Sequence, residues 1–555
     1  MILLLLTLLF VTYLTSIAYF IWVNYSKVVN LGLPIVIAPI TPDNPLWIAV
    51  QTAFGSILRH FPFSATSFTR HCRLGWEFHD RFQTHLRLGD AWILVTPVRN
   101  WLYVANAEAI TDIFSRGRDF TRPVWMLEVL NVFGPNISTA EGSDWQRQRK
   151  LTSGPFNETK SPLVWDEALR QATDITSYWR SPKSTGRTTA KDTRTLALDV
   201  LAYVAFQKSY PFASSDSPAL ATAESLSYRD SLAIILENAL ITMVLPESAL
   251  SFPLSPASWK RIGSAIRSFR RYMAKQVKDE RQLMDSRSPG TGNLVSNLVR
   301  ASGEISEQYN QEKSIKPLTD AEIFGNIFVF NFAGHDTTAI SLAYGVLLLV
   351  ANPEVQDWIH EEINHFSKHK GLSTLKYKDT FHKLKRCLAV LLETLRLYNP
   401  LPGVPKYTGK NATTLKINSK SYHIPENVLV VPALQAQHTH PRHWGSDSLE
   451  WRPQRWITAS KDLESEVLFQ PPKGTFFAWS EGLRNCPGKK FAQVEFVAVM
   501  VGLFGNNIAE PVPNHGESVA AARERVLRVV KDSNVELLLQ MRDPESVRVA
   551  LKGRA

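Results

Sequence analysis

Residues 2–24 read ILLLLTLLFVTYLTSIAYFIWVN and carry no charged side chain. About 20 apolar residues cross the hydrocarbon core as a helix, because lipid offers no water to satisfy loose backbone groups. Tyr13 and Tyr19 fall within the run, while Trp22 and Tyr25 lie near its end, where an interfacial aromatic belt is expected. The first basic residue, Lys27, follows the run and none precedes it. That bias keeps the following chain cytosolic and the extreme N-terminus lumenal. A cleavable signal peptide is the competing reading. Against it, the run is too long for an h-region, lacks a basic n-region and is followed by no small-x-small site. An uncleaved anchor over residues 1–25 is therefore expected. The sequons at Asn136, Asn157 and Asn411 would then face the cytosol and stay unmodified.

Residues 26–60 hold Pro34, Pro39, Pro42 and Pro45 between short apolar pieces and read as a linker. From residue 61 to 555 no break in composition marks a second domain, and helical patterns dominate. Three β-like regions interrupt them. AWILVTPVRNWLYVA (91–105) reads as a hairpin around Pro97–Asn100. NATTLKINSKSYHIPENVLVVPA follows residue 400. VELLLQM and VRVAL bracket Arg542-Asp543-Pro544 as a last pair. The segment 321–350 is long and apolar, but Asn326, Asn331, His335 and Asp336 occupy its first half. An Asp at the bilayer centre costs about 2.5–3.5 kcal/mol, so a buried core helix is expected, with polar groups that need partners or a task.

Hydrophobic residues make up 44% and charged residues 20%, a globular balance that excludes wholesale disorder. The net charge of +11 favours anionic partners. No zinc knuckle, dense basic tract or basic–aromatic repeat points to nucleic acid; lipid headgroups and an acidic protein partner fit better. Cys72, Cys387 and Cys486 are far apart in sequence, which argues against a disulfide framework and a zinc ribbon.

Cys486 stands out by its surroundings, WSEGLRNCPGKKFAQVEF (479–496). Gly482 and Gly488 bound a loop that runs into a helical pattern near Lys489. Amide N–H groups at such a junction can hydrogen-bond a thiolate, and the helix dipole favours its charge. Arg484 has the chemistry to neutralise a carboxylate. The segment resembles the haem-binding loop of the cytochrome P-450 family, Phe-x-x-Gly-x-Arg-x-Cys-x-Gly. Gly482, Arg484, Cys486 and Gly488 match, and Trp479 stands where the family has Phe. The resemblance implies haem, with Cys486 as axial ligand of the iron. A thiolate ligand pushes electron density onto haem iron.

Four further elements follow the family's order. Ala333-Gly334-His335-Asp336-Thr337-Thr338 resembles the motif of the helix crossing the distal haem face. The resemblance implies that the glycine relieves crowding, that Thr337 hydrogen-bonds dioxygen and that Asp336 helps deliver protons. Helix bending by Thr back-bonding is the structural alternative. Glu393-Thr394-Leu395-Arg396 puts an acid and a base on one helix face, and Arg455 in TrpArgProGlnArgTrp (451–456) completes a structural triad, with Gln454 where the family has Glu. Ser143-x-x-Gln146 has capping-box form, and Trp145 with Arg149 resembles the family's Trp-x-x-x-Arg helix, whose side chains meet a haem propionate. Lys406 and His438 are weaker candidates for that task.

The resemblance implies a mainly α fold with a smaller β portion behind one transmembrane helix, and haem held between the 321–350 helix and the Cys486 loop. It implies a monooxygenase that inserts one atom of O2 into a lipophilic, secondary-metabolite substrate. Electrons would come from NADPH through a membrane-bound flavoprotein reductase. Residues 123–130, Phe328 to Phe332 and 400–404 would wall the pocket. The anchor and motifs resemble microsomal fungal enzymes, on the endoplasmic reticulum membrane with the catalytic domain cytosolic. A haem-thiolate isomerase or dehydratase and a non-catalytic haem sensor are the alternatives. An intact Asp336-Thr337 pair argues against both.

Overall fold

A computed structural model describes residues 1–53, 67–152, 158–181, 188–212, 226–286, 292–312, 316–367, 371–458 and 461–554. Its helices that matter here are α1 (Ile2–Val28), α2 (Gly142–Thr152), α3 (Ser161–Arg180), α4 (Thr189–Phe206), α5 (Tyr228–Glu237), α6 (Asp320–Ala351), α7 (Lys385–Leu397) and α8 (Lys489–Phe504). The strands that matter here are β1 (Ile35–Ile37), β2 (Ala91–Val95), β3 (Asn100–Val104), β4 (Lys406–Tyr407), β5 (Thr413–Ile417), β6 (Lys420–Ile424), β7 (Val428–Pro432), β8 (Asn507–Pro511), β9 (Ser533–Val535), β10 (Leu539–Met541) and β11 (Val549–Gly553). The fold is mainly helical with a smaller β portion, as the sequence implied.

Among the described residues two helices are long and apolar enough to cross a membrane, α1 and α6, and burial separates them. None of the apolar window of α1 is buried, against 83% of that of α6. α6 is a core helix, and its polar residues have partners. Thr319 and Glu322 form a capping box at its start. Asn326 accepts from the Ile137 N–H at 3.0 Å and donates to Gln148 at 2.9 Å. Asn331 accepts from the Tyr228 hydroxyl at 3.2 Å.

One five-stranded sheet runs β1-β2-β3-β7-β4. The expected hairpin is present, with Val95 opposite Asn100. β1 pairs in parallel with β2, Ile35 opposite Ile93, so part of the stretch that reads as a linker is a strand of this sheet. Apolar Ile-Val-Ile satisfies its backbone there, prolines on either side notwithstanding. The expected boundary at residues 60 and 61 lies outside the described residues. The C-terminal strands also pair differently from the sequence reading. VELLLQM folds on itself, β9 against β10, and β11 pairs with β8 instead. Local turn signals cannot reveal that distant partner.

α6 and α8 cross closely. A Cβ on Gly345 would lie 2.7 Å from the Phe496 ring, too near for any larger residue. This contact sets the distance between the helix bearing Thr337 and the helix that follows Cys486.

Candidate active site

The Cys486 loop is held from several directions. Gly482 has φ +71°, and a Cβ there would meet the Phe114 carbonyl oxygen at 2.3 Å. Only glycine suits both the conformation and the space. The Cys486 N–H donates to the Trp479 carbonyl at 2.9 Å. α8 begins at Lys489, directly after Gly488. The Gly488 and Lys489 N–H groups bond the Cys486 sulfur. A Cβ on Gly488 would lie 3.9 Å from that sulfur, so ordinary contact does not by itself demand a glycine. Burial raises the Cys486 thiol, while the two N–H groups and the Arg149 charge pull it back. Protein surrounds the residue, yet it keeps open surface; Cys72 and Cys387 are buried.

A second layer steadies the loop. Glu393 binds Arg396 at 2.8 Å and Arg455 at 2.8 Å, and accepts from the Trp456 indole at 2.9 Å. Burial alone would raise the Glu393 carboxyl, but the two guanidiniums outweigh it and hold it low. Arg396 donates to the His438 carbonyl at 2.8 Å, and the His438 ring accepts from the Phe477 N–H at 3.0 Å. His438 is therefore a strut between the triad and the loop. Burial pushes it down to about 3, so it is neutral and offers no charge to a carboxylate, contrary to its standing as a propionate candidate.

Beside the loop lie cations without enough anions. Arg484 Nη2 donates to the Ala140 carbonyl at 3.0 Å, its Nη1 is buried without a partner among the described residues, and its guanidinium stacks 4.4 Å from the Trp145 ring centre. Arg149 donates to Asn485 at 3.0 Å. Burial, then Arg122, pushes Arg484 down to about 10; burial, then Arg122 and Arg484, pushes Lys406 down to about 7. Burial and the Arg149 charge lower Arg122 as well. Sequence reading missed Arg122, which carries no motif. The helix bearing Trp145 starts at Gly142, so Ser143 lies inside its first turn rather than capping it. The anchor for α2 is instead Arg147, 2.5 Å from Glu322 of α6.

On α6, Ala333 is exposed and Thr337 half-buried, one turn apart on the same face, in a helix otherwise largely buried. The Thr337 hydroxyl donates to the Ala333 carbonyl at 2.6 Å, the back-bonding that was the structural alternative. Gly334 does not open this face. A Cβ on it would point at Leu201 of α4 at 3.5 Å, and the small residue giving room is Ala333. Asp336 turns to Arg194 of α4, 3.7 Å away. It borders a half-open cavity of about 170 Å³ with Arg194, Leu236, Glu237, Ile340 and Leu538. Of the expected pocket walls, Phe328 is packed against Phe133 and Phe332 in the core, while Leu401 is exposed.

A helical domain built around an open thiol at a helix N-terminus, behind a candidate membrane helix, is the class these features define. The Cytochrome P450 family model matches residues 68–515, and the chain belongs to the cytochrome P450 family. It is 26% identical to a cytochrome P450 monooxygenase of Arthrobotrys oligospora, over 97% of this chain and 96% of that one. It is equally similar, at 26%, to a cytochrome P450 monooxygenase of Penicillium roqueforti (90% and 89% covered) and to the phomenoic acid biosynthesis cluster cytochrome P450 monooxygenase of Leptosphaeria maculans (89% of each). A crystal structure of a cytochrome P450 superposes with TM-score 0.65 at 18% identity, over 86% of this chain and 98% of that one, and shows the fold. The chain is thus a monooxygenase of the P450 type with relatives in fungal secondary metabolism. The family's cofactor is haem, and the residues fit it. The unpartnered Arg484 nitrogen and the mutually repelling Arg122, Arg149 and Lys406 suit a dianionic group, and an open thiol suits a metal.

Proposed function

We propose that this chain inserts one oxygen atom from O2 into a lipophilic secondary metabolite, with Cys486 as the thiolate that would hold the haem iron. The observation that carries this reading is the cation-rich cluster of Arg122, Arg149, Arg484 and Lys406 beside the open Cys486, which Glu141 offsets only in part at Arg484. Buried like charges are expensive unless an anion joins them, and a pair of propionates supplies it. Trp145 orients Arg484 by stacking, and Trp479 keeps an aromatic surface beside the thiol. Gly482 and Gly488 shape the loop, and the Glu393–Arg396–Arg455 triad holds it. Bound haem supplies a redox-active iron at which O2 is reduced. Thr337 and Asp336 would hand on the protons that this chemistry needs, Thr337 by freeing its hydroxyl from the Ala333 carbonyl. Electrons come from NADPH through a flavoprotein reductase, which the +11 net charge suits. α1 anchors the chain in the endoplasmic reticulum membrane with the domain cytosolic.

A reduced, carbon-monoxide difference spectrum of wild type and Cys486→Ala tests the ligand. Loss of the thiolate-type Soret band in the variant is expected; a band that survives rejects Cys486. NADPH and O2 consumption during turnover separates a monooxygenase from an isomerase. For topology, Asn136 is buried and bonded to the Leu130 carbonyl at 3.1 Å, and Asn157 lies outside the described residues. Asn411 is exposed and is the informative sequon: a glycan on it reverses the orientation.

A further inference from the structure

α6 carries two buried ionisable side chains in succession, His335 and Asp336, and the proposed function uses only the second. His335 Nε2 lies 3.0 Å from the Arg194 backbone carbonyl oxygen. A carbonyl only accepts, so the neutral imidazole keeps its proton on Nε2 and leaves a lone pair on Nδ1. That Nδ1 is buried without a hydrogen-bond partner among the described residues and stands 3.4 Å from Asp336 Oδ1. Two acceptors facing each other away from water is an unfavourable arrangement that a proton between them relieves. Asp336 Oδ1 also lies 3.7 Å from Arg194 Nε. Unlike His335, Asp336 borders the 170 Å³ cavity. The carboxylate therefore has solvent on one side and the imidazole on the other. Its terminal torsion is soft, so a small rotation moves Oδ1 between Arg194 and Nδ1.

We propose that His335 is a positioning residue for proton delivery, sharing one proton between its Nδ1 and Asp336 Oδ1 and so keeping the carboxylate turned and loaded. The proposal rests on the assignment of Asp336 and Thr337 to proton delivery made above. A hydronium ion in the cavity breaks one O–H bond and leaves as water, and its proton forms the O–H bond on Oδ1. That bond breaks as Nδ1–H forms, and the reverse transfer returns the proton to the carboxylate. No electrons move, and Nε2 stays protonated throughout. The charged groups facing the imidazole are Asp336 on its own helix, Arg194 on α4 and Glu237 on α5. Burial, the largest influence, lowers its proton affinity, and Arg194 does the same; Asp336 and Glu237 oppose them. The imidazole is therefore neutral at pH 7 and takes up a proton as pH falls below the usual histidine range, so the proton is readily handed back.

Nitrogen-15 NMR of the histidine-labelled ferrous carbonyl holoenzyme reads Nδ1 directly, with His335→Asn identifying the signal. The expected result is the Nε2–H tautomer at about pH 8 and protonation of Nδ1 on acidification, with a lower midpoint in Asp336→Asn. The opposite tautomer, or a midpoint that Asp336→Asn does not move, overturns the proposal. A second measurement scores hydrogen peroxide released per NADPH consumed, with reductase and no added substrate, from about pH 6 to 8. In wild type the fraction should rise with pH. In His335→Asn it should be at least about twofold higher at the acid end and flat; identical profiles overturn the proposal. If Asp336→Asn and Thr337→Ala leave peroxide unchanged, the underlying assignment falls and takes the delivery role of His335 with it. The NMR result then still shows whether the pair shares a proton.

Discussion

The Cys486 loop and the Ala333–Thr337 stretch of α6 are built in opposite ways. Around Cys486 the loop is held by contacts to several other segments: Gly482 against Phe114, Arg149 on Asn485, His438 between Phe477 and Arg396. On α6 the Thr337 hydroxyl bonds only its own helix, and Asp336 meets Arg194 at 3.7 Å beside a half-open cavity. A side that holds a metal ligand gains from rigidity, because a misplaced sulfur loses the bond. A side that moves protons needs groups free to change partners. The contrast predicts that variants near Cys486 cost stability, while variants on the distal stretch change chemistry and leave stability alone.

The largest effect should come from the triad. Arg396→Leu leaves the buried Glu393 carboxylate with Arg455 as its remaining cation in the triad, and removal of one partner from a buried ion network costs about 3–5 kcal/mol. The expected outcome is little folded, haem-loaded protein, measured by thermal melting and haem content. Gly482→Ala comes next. Left-handed backbone at a non-glycine residue costs about 1–3 kcal/mol, and the Phe114 contact adds to it. A melting temperature equal to wild type would break the claim that this loop is over-determined.

Lys406 provides a pH test. Burial pushes it down to about 7, below its value in an unfolded chain. Between that pH and the usual lysine range the unfolded chain binds the extra proton, so stability rises with pH across this window. Apoprotein should therefore gain on the order of 3 kcal/mol from pH 7 to 10, read as a shift in urea midpoint. Lys406→Met should remove the slope, and haem loading should weaken it by supplying an anion. The smallest stability change should be that of Thr337→Ala, within about 0.5 kcal/mol, since only one intrahelical hydroxyl bond is lost. Its peroxide release per NADPH should still rise several-fold. A destabilisation as large as that of Gly482→Ala would erase the contrast between the two sides.

Much of the rigid side was legible in the chain. Glycines, cysteine and arginine at fixed spacing report a turn that needs left-handed backbone and a helix start behind it, and both are local. The triad was legible too, because Glu393 and Arg396 share a helix turn. What escaped was contact between distant segments. Arg122 has no motif, yet joins Arg484 and Lys406 in one cation cluster. Gly334 looked like the gap in α6, but the helix rotation gives that role to Ala333. The pairing of β11 with β8 spans residues that no turn signal connects.

The sequence by itself determined that α1 is helical and apolar enough to span a membrane, that α6 carries polar groups in need of partners, and that Cys486 sits at a helix N-terminus. These follow from periodicity, hydropathy and backbone chemistry over a few residues. Only the tertiary structure decided which cations crowd together, which face of α6 stays open, and that His335 and Asp336 meet with Arg194. Those outcomes depend on helix rotation and close packing. The Gly345–Phe496 crossing shows why, since a single methyl group there would change the distance between the two helices that frame the site.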